Sequence, residues 1–500
     1  MRARAVAAAV PTWVVVLTLT AGFTVVSWSG LEQWRDGGGE DSYSYVDYVQ
    51  WLDVQHRIPR RDQNYEYAMP IGVPAVGVLV QRAFGTPNYD NPSSPPLQAM
   101  PKLLRRLAWI ALVLLGALGV ARARPLQPRW LLGVGAWLAA ATWAVSYVLA
   151  ATDNEGWLPL VLISFACGVA LVPATAWLAH EVWPERRRMP ILGAIAACLM
   201  PVVFASTLYF HPDPPFAVAA TIATALVVRA TRTGLTVWAG AAAGVALGLA
   251  ALARQSAPVV AISLAIGVAL VGRRSSIRYV VAGTLGMLLV VGGWWYQQWE
   301  RYRNPVEANL DRPGYMLDHQ RLSFFTSTPV SLITHPRRPA FMDTLFPRLH
   351  AYLWSDWYGG YHHWGKDTKR FATTLASSQS VLGFGGDALV IGGVALVGVP
   401  ALLRVARGRD VLPADGAFAV LTTLFLLAWA GFIGMLVRFP QRDSDPVKAR
   451  YLLFIAPACA VFAVAAGTLL ARRGGWRRTL LYAWVGAYTV SWALTFATAF

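Results

Sequence analysis

Long apolar runs separated by short polar segments make up most of this 500-residue sequence. A helix rises about 1.5 Å per residue, so runs of this length cross or nearly cross a hydrocarbon core of about 30 Å. The pattern predicts an all-α polytopic membrane protein with about 13 transmembrane helices, forming a single membrane-embedded domain over residues 1–500. The predicted spans cover residues 5–26, 103–120, 131–150, 157–179, 191–209, 216–228, 236–252, 257–271, 279–296, 388–403, 417–437, 451–470 and 479–500.

Two long polar stretches interrupt this pattern. The first covers residues 29–101 and the second covers residues 299–387. Within the first, residues 42–54 have helical periodicity, with Tyr45 on the apolar face. Residues 70–84 form another short apolar run, which reaches only about 22 Å as a helix. We therefore predict two interfacial helices in this loop rather than a further membrane span.

Arginine clusters in the short loops predict how the chain lies in the membrane. If residues 70–84 do not span, these clusters all fall on the side of the N-terminus, at Arg124, Arg187, Arg232, Arg273, Arg404 and Arg478. The positive-inside rule makes that side cytoplasmic. Both long loops then lie outside. We expect a multi-pass protein of the cell (plasma) membrane with an extracytoplasmic active site.

Composition agrees with a membrane protein. Charged residues make up 14% of the sequence, against roughly 25% in soluble domains. The net charge of +17 comes mostly from small arginine clusters between apolar runs, which is typical of membrane topology and not of a nucleic-acid-binding stripe. The three cysteines lie inside apolar runs without metal-ligand spacing. We expect membrane lipids and no nucleic acid as partners.

The candidate catalytic acids lie in the first outer loop. Glu40 and Asp41 follow the first apolar run and precede the predicted helix at residues 42–54. Asp41 is either a functional carboxylate at the membrane surface or a simple helix N-cap, and local sequence alone favours the cap. Tyr65 and Glu66 follow in the same loop, where Glu66 either contacts an acceptor or faces solvent.

Three other outer segments carry candidate binding residues. His211 and Asp213 form a turn before a predicted span, where Asp213 could equally be an N-cap followed by prolines. An aromatic-rich segment contains Asp356 and His362, which suit either a sugar site or a packed cap over the helices. The adjacent His362 and His363 are poorly spaced for a metal, and we predict no metal site. The third segment contains Lys448, Arg450 and Tyr451 at the outer start of a span.

Taken in order, these motifs resemble the GT-C superfamily of membrane glycosyltransferases. The acid pair after the first helix, the Tyr-Glu-x-x-Pro segment, the His-Pro-Asp turn and the late Lys-x-Arg-Tyr-Leu-Leu segment carry the resemblance. The most similar members are bacterial protein mannosyltransferases and aminoarabinose transferases. Many of these have Pro-Pro-Leu-Tyr-Tyr after the acid loop, whereas this chain has Met-Pro-Ile-Gly-Val-Pro-Ala-Val from Met69.

The resemblance implies a sugar transfer with inversion of configuration. A polyprenyl-phosphate-linked sugar would be the donor, and a hydroxyl of a glycan, lipid or protein would be the acceptor. Asp41 would be the general base, with Glu40 as the second choice, and Arg450 would bind the leaving phosphate, with help from Lys448. No cofactor is expected, although a divalent cation at the lipid phosphate stays open as an alternative.

Two other functional classes fit parts of the pattern. An O-antigen-ligase-like or polymerase-like enzyme would work through the long outer loop, with His319 and Arg321 among its active residues. A lipid or sugar transporter (flippase) is the other alternative, but charge within the predicted spans is scarce and internal repeats are not evident.

Overall fold

The computed structural model describes residues 11–33, 42–60, 69–84, 158–305, 319–328, 344–355, 373–408, 412–440 and 449–499. Every regular element in these ranges is helical. Six segments among them are long and apolar enough to cross a membrane, which agrees with a membrane protein of the all-α class.

The helices of the first half are α1 (Thr12–Gln33), α2 (Ser42–Gln55), α3 (Gly72–Phe84), α4 (Leu158–Val182), α5 (Met189–Cys198), α6 (Pro201–Ala205), α7 (Asp213–Thr233), α8 (Val237–Ala253), α9 (Ala257–Gly272) and α10 (Ser276–Tyr302). Those of the second half are α11 (Leu322–Thr326), α12 (Phe346–Trp354), α13 (Thr373–Gly393), α14 (Val399–Arg407), α15 (Asp415–Arg438), α16 (Ala456–Arg472) and α17 (Gly475–Ala499). A π-helical turn joins α13 to α14, and a 3-10 helix, Ala449–Ile455, precedes α16.

The count of about 13 predicted spans is not confirmed. The predicted spans at residues 103–120 and 131–150 lie outside the described residues. The fifth and seventh predicted spans correspond to apolar helices of only 10 and 17 residues. The first corresponds to α1, whose apolar part covers Thr12–Trp28. One of the six long segments, Ala257–Tyr302, contains both α9 and α10. The further spans stay predictions, as does the interfacial position of α2 and α3.

The predicted span at residues 191–209 is wrong as a continuous helix. Helix α5 ends at Cys198, and Met200 adopts an extended conformation before Pro201 starts the five-residue α6. Proline disfavours the α conformation in the residue before it and has no N–H to donate, so the helix breaks there. The chain then runs irregularly to His211.

Contacts between elements place several arginine clusters at one end of the bundle. Thr12, at the start of α1, donates a hydrogen bond to the backbone oxygen of Arg187 at 3.2 Å. Arg232 binds Glu181 at the end of α4 with an N–O distance of 2.7 Å. Arg404 makes a two-bond pair with Asp415 at 2.7 and 2.8 Å. We refer to this end as the basic end.

Helices α2 and α3, the described helices of the first predicted outer loop, pack at the opposite end. Helix α2 buries Tyr45, Tyr48 and Val49 and exposes Asp47, which confirms the predicted helix and its apolar face. Gly72 of α3 lies so close to α8 that an added Cβ would be 2.6 Å from the backbone oxygen of Leu252. Helix α3 therefore rests against the end of α8, and α2 packs against α3.

Close packing of α8 on α10 fixes the direction of α8. An added Cβ at Gly240 or Gly244 would clash with the backbone oxygens of Tyr279 and Gly283, respectively. Glycines spaced four residues apart let two helix backbones approach closely, as is common in membrane proteins. This contact holds the α8 C-terminus, and the residue that follows it, in place at the end opposite the basic end.

Candidate functional site

A buried charged cluster lies where the His211–Asp213 turn meets the ends of α8 and α16. Ser164 of α4 fixes this turn, because its hydroxyl donates to the backbone oxygen of His211 at 2.9 Å and accepts from its backbone N–H at 2.8 Å. Helix α7 then begins at Asp213, with prolines in its first turn. His211 and Asp213 are 2% and 1% exposed, respectively.

Asp213 is the centre of this cluster. One carboxylate oxygen, Oδ1, accepts a hydrogen bond from Arg254, the residue directly after α8. The other, Oδ2, lies 2.5 Å from Nδ1 of His211 and 3.7 Å from Nε of Arg450. The alternative reading of Asp213 as an N-cap is wrong, since Pro212 occupies the cap position and the carboxylate contacts these side chains.

Two aromatic rings enclose the charged groups. The Arg254 guanidinium lies 4.4 Å from the centre of the Tyr451 ring, and that of Arg450 lies 5.9 Å from the same ring. Tyr45 of α2 packs edge-on against the His211 ring, with centroids 5.0 Å apart. The cluster is thereby joined to the helix that follows the predicted catalytic acids.

Arg254 stays charged although it is largely buried. Burial opposes the charge on Arg254, but attraction to Asp213 outweighs it and the pKa of Arg254 is raised above its usual value. Among the residues that the structure describes, two guanidinium groups face this carboxylate. Because charges in a low-dielectric site are poorly screened, a pair of guanidinium groups favours an incoming anion. The side chains of Arg254 and Arg450 are 11% and 13% exposed, so neither is closed off completely.

The structure brings together only some of the predicted site residues. His211, Asp213, Arg450 and Tyr451 meet in one cluster, although sequence separates them by more than 200 positions. The other predicted residues lie outside the described residues, namely Glu40, Asp41, Tyr65, Glu66, Asp356, His362 and Lys448. Their roles stay predictions.

Sequence reasoning missed Arg254. It is the charged residue between two apolar helices, α8 and α9, in an Arg-Gln-Ser segment predicted to face the same side as the His211 turn. A charged residue between two apolar helices was a usable signal for a functional residue.

Metal coordination stays untested. Among the residues that the structure describes, no group of three or more His, Cys, Asp or Glu side chains could hold a metal ion. The described cluster has guanidinium groups as its main polar partners, and these are not metal ligands.

Comparisons with known proteins give one structural likeness. No family model matches the sequence, and no curated protein matches it. The structure is similar to the oligosaccharyltransferase of Archaeoglobus fulgidus in its apo form, a GT-C glycosyltransferase. The match has 13% identity and a TM-score of 0.35, and it covers 72% of this chain and 47% of that chain.

Proposed function

We propose that this chain is a membrane glycosyltransferase that uses a polyprenyl-phosphate-linked sugar. The observation that carries the proposal is the cluster of Arg254 and Arg450 around Asp213, at the end of the bundle opposite the basic end. Two neighbouring guanidinium groups that are not fully buried suit a lipid phosphate. By the positive-inside rule this end is extracytoplasmic.

The proposed reaction is a single displacement at the anomeric carbon of the sugar. The acceptor oxygen forms a bond to this carbon while the bond between the carbon and the phosphate oxygen breaks, so the configuration inverts. The acceptor hydroxyl gives its proton to Asp41, and the polyprenyl phosphate leaves with the bonding electron pair. General-base help of this kind is typically worth about 10²–10⁴-fold in rate.

Arg450 would act on the leaving group. Negative charge builds on the phosphate oxygens as the glycosidic bond breaks, and a positioned guanidinium stabilises it through two parallel hydrogen bonds. The Asp213 carboxylate lies 3.7 Å from Nε of this guanidinium, and the Tyr451 ring centre lies 5.9 Å from it. Arg254 is more tightly bound to Asp213 and would add to the positive potential.

Arg450→Ala should weaken the binding of farnesyl phosphate, a short polyprenyl phosphate, by about tenfold or more, because a charge-assisted hydrogen bond is worth about 1.5–3 kcal/mol. Arg450→Lys should restore only part of the affinity, since it keeps the charge and loses the paired geometry. Isothermal titration of the purified protein in detergent measures both.

The matched control is Arg438→Ala. Arg438 is exposed at the end of α15 that lies opposite the basic end. Its loss therefore removes one positive charge from the end of the bundle that carries the cluster. Equal losses of affinity for the Arg438 and Arg450 variants would mean general attraction and no specific site. Unchanged binding by Arg450→Ala would remove this residue from the proposed function.

A further inference from the structure

A second buried polar group lies on α12, away from the cluster. Nδ1 of His350 lies 2.5 Å from Oδ2 of Asp387 on α13, and Nε2 lies 2.8 Å from the backbone oxygen of Ser380. Trp354 donates its indole N–H to Oδ1 of the same carboxylate at 2.5 Å. The imidazole also stacks on Phe384 with ring centroids 4.3 Å apart.

These contacts define the protonation state of the pair. Both ring nitrogens face oxygen acceptors, so each contact needs a proton. One proton must lie on Nε2, because a backbone carbonyl has none to give, and the other between Nδ1 and Oδ2. With one proton fewer, a nitrogen lone pair would face an oxygen at hydrogen-bonding distance and one contact would become repulsive. Since both nitrogens are engaged, His350 is not placed to act as a general base.

The pair fastens α12 to α13 at close range. Added Cβ atoms at Gly383 and Gly386 would lie 2.5 Å from the Trp354 side chain. Tyr488 of α17 donates to the backbone oxygen of Trp354 at 2.9 Å. Helix α12 also packs against α6 and against the 3-10 helix Ala449–Ile455, which carries Arg450 and Tyr451. Helix α12 is thus held on one side by His350 and supports the arginine-bearing segment on the other.

We propose that His350 and Asp387 are positioning residues whose hydrogen bond fixes α12 to α13, so that α12 supports the Ala449–Ile455 helix and sets the place of Arg450. The inference rests on the proposed function for the binding of a phosphate, but the coupling between α12 and the 3-10 helix does not. Loss of either partner breaks this hydrogen bond, loosens the contact and weakens phosphate binding.

Other titratable or charged groups on the packed elements are few among the described residues. Asp387 also interacts electrostatically with Cys459 on α16 and Tyr488 on α17. Arg348 lies on α12 itself and Arg450 on the 3-10 helix, beside Tyr451; α6 carries no titratable residue. The experiment must therefore separate His350 from the other groups by substitution.

The first measurement needs no ligand. Hydrogen exchange of the amides in residues 449–455 is compared between the wild type, His350→Gln and Asp387→Asn. We expect at least about fivefold faster exchange in both variants, and no change in Asp415→Asn, which breaks a comparable pair at the basic end. Unchanged protection in both variants would overturn the coupling, and Asp387→Asn answers the question if His350→Gln does not fold.

The second measurement compares farnesyl phosphate affinity between these proteins at a single pH. The wild type should bind about fivefold or more tightly than His350→Gln and Asp387→Asn, whereas Asp415→Asn should bind as tightly as the wild type. Equal affinities of the wild type and both variants of the pair would overturn its effect on Arg450. Failure of the wild type to bind would instead sink the proposed function, and hydrogen exchange alone would then decide the inference.

Discussion

Asp41→Asn should lower sugar transfer by about 10²-fold or more while leaving farnesyl phosphate affinity nearly unchanged. A general base acts mainly in the transition state, so its loss lowers turnover and not ground-state binding. If Asp41 is only a helix N-cap, the same change should cost little, because asparagine caps about as well as aspartate. A transfer assay with purified protein, polyprenyl-phosphate sugar and acceptor measures the effect.

Asp47→Asn is the matched control. Asp47 is the next acid after Asp41, and it is exposed on α2, away from the buried face of that helix. Its substitution should leave transfer near normal. Near-normal transfer by Asp41→Asn and Glu40→Gln, singly and together, would contradict the proposed mechanism. Loss of activity in His319→Ala or Arg321→Ala, two exposed residues of the second outer loop, would then favour the ligase-like class.

Asp213→Asn should destabilise the protein by about 3–5 kcal/mol, because it leaves the buried Arg254 without its counter-charge. The free energy of unfolding can be measured in mixed detergent micelles. An N-cap role alone would predict almost no change.

A double-mutant cycle measures how strongly Asp213 and Arg254 stabilise each other. Arg254→Met should also be costly alone, but Asp213→Asn with Arg254→Met should cost less than the sum of the two single changes. Additive costs would show that the two side chains are not coupled. Asp415→Asn serves as the comparison, and we expect a smaller effect there because its partner Arg404 has a side chain 36% exposed to solvent.

The sequence was sufficient for the helical class and for the local features of the first outer loop. The periodicity of residues 42–54 predicted α2 and its apolar face because burial along one helix repeats with the helical turn. Tyr45 is 1% exposed, as that pattern requires. Pro201 also carried a signal for the break after α5, which a prediction based on hydropathy alone overlooked.

The charged cluster was only half predictable. His211, Asp213 and Arg450 were identifiable as polar residues on one side of the membrane, but nothing local shows that Asp213 and Arg254, 41 residues apart, form a pair. That contact depends on how α7, α8 and the 3-10 helix pack. For the same reason Asp213 resembled an ordinary N-cap, and the His350–Asp387 pair on α12 and α13 had no recognisable motif.

The most direct test of the central claim is an experimental structure of the protein in lipid nanodiscs with saturating farnesyl phosphate. We predict a phosphate in contact with the Arg450 guanidinium, on the side of the cluster nearest α2 and Tyr45. A phosphate bound instead beside His319 and Arg321, or at the basic end near Arg273, would contradict the assignment of this cluster as the donor site.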